Sequence, residues 1–223
     1  MTAGTARRAL PRSLWRYVYS FEAMIDDAVD AFARSLPPAA RVLDAGAGEG
    51  RFRACFAAQR YCGVDLAVGD ARWDYSRLDA MADLVALPFA DASFDAALNV
   101  VTLEHLPEPA LAMAELSRVL KSGGRLLIVA PQEWEVHQSP HDFFRYTRHG
   151  LERLLTRAGF AIVQMEPAGG LFQLLGRRAL TAARLAWWLA PVLIPLGLLL
   201  PLCDSLDREK HSTLGYRCIA RKL

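Results

Sequence analysis

The residues able to do chemistry in this chain are a few acids placed after apolar runs, a set of alternating glycines and a group of histidines. In Val42-Leu43-Asp44-Ala45-Gly46-Ala47-Gly48-Glu49-Gly50 an apolar run ends in Asp44, glycines then alternate, and Arg51-Phe52 follow. Alternate glycines let the backbone approach a ligand closely, because no Cβ intervenes and positive φ costs little. An acid at the carboxyl end of a strand can accept hydrogen bonds from a polar ligand in the crevice where open α/β sheets bind. Asp65 closes a second such run 21 residues after Asp44, and Asp83 follows a third. For proton transfer the candidates are His105, and His137, His141, Asp142 and Tyr146 within QEWEVHQSPHDFFRYT. Histidine is the usual base near neutrality, so His105 or His141 is expected in that role, with Tyr146 as a further catalytic candidate.

Those groups need a scaffold, and the chain spells one out. Apolar residues at spacings of three and four predict a helix over Leu14–Leu36, stopped by Pro37-Pro38. A strand over Val42–Ala45, a helix over Glu49–Gln59 and a strand over Tyr61–Asp65 follow. The polar stretch 66–78 reads as a loop, and a short third strand lies near Asp79–Ala82. Ser93–Val101 is almost continuously apolar, as a strand covered on both faces should be. A helix from about Pro109 to Leu120, with Leu111, Ala114, Val119 and Leu120 inward, is expected to stop at Ser122-Gly123-Gly124. Strands over Arg125–Ala130, Phe160–Glu166 and Gly215–Arg221 complete the set, and Thr147 is placed to cap a helix running to Ala158. Strands alternating with helices predict an α/β fold with a doubly wound, mostly parallel, seven-stranded Rossmann-like sheet. The expected division is an N-terminal tail and helix (1–36), the sheet domain (37–166 and 213–223) and a hydrophobic helical insertion (167–212) before the last strand.

At 223 residues the chain can bury a substantial core, and its net charge of +2, from 26 basic and 24 acidic residues, gives no reason to expect a nucleic-acid partner. Cys55, Cys62, Cys203 and Cys218 form no CxxC pair and no metal-ligand spacing, so they read as reduced thiols in a cytoplasmic protein, and no metal site is expected. Met1–Arg12 lacks the apolar core of a secretory signal and reads as a frayed tail.

The dinucleotide fingerprint G-x-G-x-x-G/A requires a small residue where Arg51 stands. The spacing found here, G-x-G-x-G behind an acid, suits a ligand first met through a cationic amino-acid group. VLDAGAGEGRF, YCGVDLA, ADLVALPFADASFD, NVVTLEHLPEP and ELSRVLKSGGRLLIVAP follow one another between residues 40 and 131. In that order and spacing they resemble the motifs of class I S-adenosylmethionine-dependent methyltransferases of the small-molecule, type 11-like kind. The resemblance implies S-adenosylmethionine as cofactor. It assigns cofactor contacts to Asp44, Gly46, Gly48 and Gly50, the ribose to Asp65 with Leu66 beside it, and the adenine to Asp83 with the backbone of Leu84. Asn99 either lines the methionine end of the pocket or is a satisfied polar group at a strand end. A non-catalytic cofactor-binding or scaffold protein, and an NAD-dependent oxidoreductase, are the competing readings.

The acceptor is the open part. Trp134, Phe143, Phe144 and Tyr146 in segment 132–146 suit an apolar or ring-bearing small molecule, or else cover the core under a long loop. Leu185–Cys203 runs nineteen residues without a charge, the length of a membrane span, with Trp187-Trp188 at one end and prolines at 191, 195 and 201. A single span would separate the last strand from its sheet. The expectation is therefore contact of 171–203 with a membrane surface, on the inner face, or burial as a lid or homodimer interface. Membrane contact would bring a lipid-like or lipid-linked acceptor within reach.

Overall fold

The computed structural model describes residues 11–70 and 72–223. The chain forms two compact units, one from residues 27–166 and 216–223 and the other from residues 11–26 and 167–215. The larger unit is built on a seven-stranded sheet: β1 (Arg41–Ala45), β2 (Arg60–Asp65), β3 (Ala80–Met81), β4 (Phe94–Val100), β5 (Leu120–Pro131), β6 (Phe160–Pro167) and β7 (Gly215–Lys222). The strand order is β3-β2-β1-β4-β5-β7-β6. Neighbours from β3 through β5 pair in parallel, with Asp44 level with Gly63 on β2 and Leu98 on β4. The carboxyl ends of β1, β2 and β4 therefore open on the same edge. The expected doubly wound α/β sheet is the fold.

The central strands form because both faces are covered. Val42, Leu43, Ala96, Ala97 and Leu98 are wholly buried, as are Leu116, Val119, Ile128 and Leu155 around them. Helix α3 (Pro109–Val119) starts on proline, where the missing N–H costs nothing; the numbering follows α1 (Arg12–Val18) and α2 (Ser20–Arg34). Helix α4 (Arg148–Arg157) is capped as expected, with the Thr147 hydroxyl accepting from the Gly150 amide at 3.1 Å.

Four local expectations are corrected. The first helix breaks at Tyr19 into α1 and α2, and Arg12, assigned to the tail, begins α1 behind Pro11; residues 1–10 of that tail lie outside the described residues. No α-helix occupies Glu49–Gln59: the glycine turn runs through Gly50, all three glycines having positive φ, and only a 3₁₀ turn, Arg53–Phe56, fits before β2. Too few residues remain to repay helix nucleation. Helix α3 buries Ala112, Met113, Leu116 and Val119 rather than Leu111 and Ala114, which are exposed. It also ends at Val119, because β5 begins at Leu120 with an irregular register around Ser122–Gly124 and Gly123 at φ +74°.

The smaller unit contains a helical hairpin, α5 (Leu171–Leu185) and α6 (Ala190–Leu199), joined by the 3₁₀ turn Trp187–Leu189. The helices cross closely at Gly176 and Gly197, where a Cβ on either would lie 2.9–3.0 Å from the other's carbonyl oxygen. A second 3₁₀ segment, Leu200–Leu206, brings the chain back to its start. There Asp204 accepts from the Gly170 and Gln173 amides at 3.0 Å and Asp207 from Leu171 at 2.7 Å, placing carboxylates on the amino end of α5. Arg177 pairs bidentately with Glu22 at 3.0 Å, and the Tyr17 hydroxyl donates to the Leu198 carbonyl. The insertion is a closed hairpin: it leaves and returns at one end.

Candidate functional site at the carboxyl edge of the sheet

β1 delivers Asp44 to the edge and the glycine turn follows. Gly46, Gly48 and Gly50 have φ of +88°, +52° and +68°, a region closed to most side chains. A Cβ on Gly46 would stand 2.3 Å from the Thr102 side chain, so glycine is required there by space as well as conformation. The amides of Gly46 and Ala47 donate to the Val64 carbonyl at 2.9 and 3.0 Å, tying the turn to β2. Asp44 is buried and accepts from the Tyr61 hydroxyl at 2.6 Å. Burial pushes its carboxyl up to about 7, against the lowering effect of that hydrogen bond.

Asp65, at the end of β2, accepts from the Gly48 amide at 2.9 Å and from Ala67 at 2.8 Å. A carboxylate has about four acceptor positions, so capacity remains for a diol. Leu66 beside it is exposed. Residues 72–78 fold back over the turn: the Trp73 ring lies 3.4 Å from where a Gly48 Cβ would be, the Tyr75 hydroxyl accepts from Gly69 at 2.9 Å, and Glu49 accepts from the Asp74 amide at 3.0 Å. Asp83 is exposed and accepts from the Val85 amide at 3.1 Å in a turn of its own, while Leu84 is buried.

The exit of β4 differs in character. Asn99 is fully buried; its amide nitrogen donates to the Ala45 carbonyl at 2.8 Å, and its Oδ1 is buried without a partner. One half of the Asn99 amide secures β1, and the other is left over. Val101 sits at φ +48°, a strained conformation for a β-branched residue, held by its amide bond to Val129 at 2.8 Å. Thr102 packs on Gly46 and bonds its carbonyl at 3.2 Å. The 3₁₀ turn Leu103–His105 then buries Glu104 completely, with neither carboxylate oxygen hydrogen-bonded. Burial pushes that carboxyl up to about 8. His105 Nδ1 lies 2.5 Å from the His141 carbonyl, which can only accept, so Nδ1 carries the proton and the buried Nε2 presents its lone pair. Burial lowers the His105 pKa.

Segment 132–146 is fastened to this turn. The Phe143 and Phe144 amides donate to the Glu104 carbonyl at 2.9 and 3.2 Å, and Asp142 pairs bidentately with Arg145 at 2.6 and 2.9 Å while accepting from the His137 amide. That pairing holds the Asp142 carboxyl well below the usual range. Tyr146 is buried and donates to the Leu103 carbonyl at 3.0 Å; burial raises its pKa. Phe143 and Phe144 are 45% and 39% exposed, Trp134 is half-buried, and His141 is exposed with its ring against Phe143.

Most of the expected residues fall into two groups, while Asp83 stands apart, exposed in a turn of its own. Asp44, Gly46, Gly48, Gly50 and Asp65 surround the turn, and His105, His141 and Tyr146 meet at the β4 exit. Sequence reasoning passed over Tyr61, Thr102 and Glu104. Glu104 stood in a quoted motif; the only sequence signal for it was an acid beside a histidine.

Residues 43–128 match the methyltransferase domain family. The chain is 31% identical to an uncharacterized methyltransferase of Mycobacterium leprae, over 70% of this chain and 68% of that protein. It is 35% identical to a probable S-adenosylmethionine-dependent methyltransferase of Mycobacterium tuberculosis, over 56% of this chain and 50% of that one. The chain spans about half the length of some of the curated relatives it matches. Among solved structures it resembles the [4+2]-cyclase SpnF, with a TM-score of 0.60 and 25% identity over 88% of this chain and 80% of that one. The edge fits the cofactor of that family: a glycine turn held at positive φ, a carboxylate with free acceptor positions after β2, and a buried amide oxygen left over at Asn99. With this sheet, these motifs and these relatives, the chain belongs to the S-adenosylmethionine-dependent methyltransferases of class I.

Proposed function

We propose that the protein transfers a methyl group to a small apolar or lipid-linked acceptor at a membrane surface. The observation that carries this reading is the exposed apolar face of the hairpin in a chain that also holds the glycine-turn site. Trp187–Leu206 is long and apolar enough to cross a membrane, yet 6% of it is buried, and Leu185 and Trp187 are 80% and 76% exposed. The hairpin's closed base is at odds with a single crossing and supports a helix pair lying in the interface. Arg184, Arg208 and Lys210 flank it, and each basic group near an anionic surface contributes about 1 kcal/mol.

S-adenosylmethionine, when bound, supplies an electrophilic methyl on a sulfonium. The turn and Asp65 hold and orient it, with Leu66, Asp83 and Leu84 on the adenine side and Asn99 at the methionine end. The exposed His141 is the group available to accept a proton; the Nε2 of His105 is buried, and Tyr146, whose hydroxyl is committed to Leu103, positions the turn that carries His105. Phe143, Phe144 and Trp134 offer an apolar acceptor surface. A second reading, a member that binds the cofactor without methyl transfer, draws support from the likeness to a cyclase. The dinucleotide alternative is set aside, because Arg51 stands at its last small position and the relatives are methyltransferases.

Flotation with anionic liposomes, combined with labelled methyl donor and lipid extracts, tests the reading. The intact protein should float and label a lipid-soluble product, and the double variant Trp187→Asp, Trp188→Asp should stay in the aqueous fraction. A wild-type protein that remains below as a monodisperse homodimer would assign the hairpin to an interface between copies.

A further inference from the structure

Glu104, His105 and a ring nitrogen of His137 bring one donor atom each within 4.8 Å of one another. His105 Nε2 and Glu104 Oε1 are 3.8 Å apart, and the His105 and His137 rings meet edge to face at 4.7 Å between centroids. Two features of the cluster favour a cation. Neither oxygen of the buried Glu104 has a hydrogen-bond partner, and the buried Nε2 of His105 has none either. Such groups carry a desolvation cost that a bound cation removes. The nearby Arg145 is not available to fill that role, since its guanidinium is held by Asp142 and by the carbonyls of Glu135 and Phe144.

We propose that Glu104, His105 and His137 form a site for one divalent transition-metal ion, bound by two imidazoles and a carboxylate. The surrounding bonds prepare the ligands. The His141 carbonyl fixes the Nδ1–H tautomer of His105, leaving Nε2 as donor, and His137 Nδ1 lies 2.9 Å from the Glu135 carbonyl, which leaves its own Nε2 as donor. A hydrogen bond from the far ring nitrogen to a carbonyl is the usual way a ligating histidine is oriented. Metal–nitrogen and metal–oxygen bonds of about 2.0–2.2 Å require the three donors to draw together by roughly an ångström, a movement open to the half-exposed His137. Nitrogen and oxygen donors of this kind suit zinc, cobalt, manganese or iron(II) rather than magnesium or calcium. Three protein ligands leave positions for water or for a hydroxyl of the acceptor, the latter resting on the methyl-transfer reading. A hydroxyl bound there would lose its proton more readily.

The test uses the full chain, stripped with chelator and titrated with Co²⁺ or Zn²⁺ alone by calorimetry and absorption. One ion should bind per chain, with a Co²⁺ spectrum lacking a thiolate band, so that cysteine ligation is excluded. Losing an outer-shell partner of a metal site typically weakens binding about 10–100-fold, so Glu104→Gln and His137→Ala should each weaken it at least about ten-fold. Melting curves identify a variant that fails to fold; His137→Ala, at a half-exposed position, decides the matter if Glu104→Gln does. Absence of stoichiometric binding by the wild type, or equal binding by a folded variant, overturns the proposal. Neither result depends on methyl transfer, which is measured separately.

Discussion

Two buried acids lie at the carboxyl edge of neighbouring strands, Asp44 at the end of β1 and Glu104 just beyond β4, and their surroundings are opposite. Asp44 accepts from Tyr61 at 2.6 Å and sits beside a turn whose amides are bonded to β2. Glu104 has no partner on either oxygen, next to a histidine nitrogen that has none. The first region is completed by the protein itself. The second holds buried polar groups that the protein does not pair, and it is there that the proposed cation would bind.

The comparison can be broken first on the side of Asp44. Its carboxyl is raised from an ordinary value of 3.8 to about 7 by burial, so between those values the folded state holds a proton that the unfolded state has lost. Stability should therefore fall as pH rises from about 4 to about 7 and level off above, by on the order of 4 kcal/mol from this group. Denaturant unfolding across that range should show the fall in the wild type and a flatter profile in Asp44→Asn. An unchanged slope would mean that Asp44 is ionised in the fold and that the two acids are not comparable. The next effect is smaller and concerns the turn. Gly46→Ala places a Cβ against Thr102 at positive φ and should cost about 2–4 kcal/mol in thermal unfolding, with loss of cofactor binding. A variant of wild-type stability would show that the turn is not rigidly set.

Much of this was legible in the chain. Apolar runs ending in Asp44 and Asp65, the glycine alternation and the Thr147 cap are local signals, and local physics decides them. The helix expected over Glu49–Gln59 failed because nothing in the sequence states how far a turn at positive φ extends. The Tyr61–Asp44 bond depends on the register of β2 on β1, and the isolation of Glu104 depends on which groups do not reach it. Such features follow from assembled packing, which periodicity does not record. The hairpin was visible as an uncharged stretch within an insertion over 167–212, but the closure of its base by Asp204 and Asp207 was not.

The cofactor claim is tested most directly by calorimetry with S-adenosylmethionine and NAD on the wild type and on Asp65→Ala. S-adenosylmethionine should bind one per chain and NAD should not. Hydrogen bonds to a charged group are worth roughly 1.5–3 kcal/mol, so Asp65→Ala should weaken S-adenosylmethionine about 10–100-fold. Binding of NAD without S-adenosylmethionine, or equal affinity in Asp65→Ala, would contradict the account.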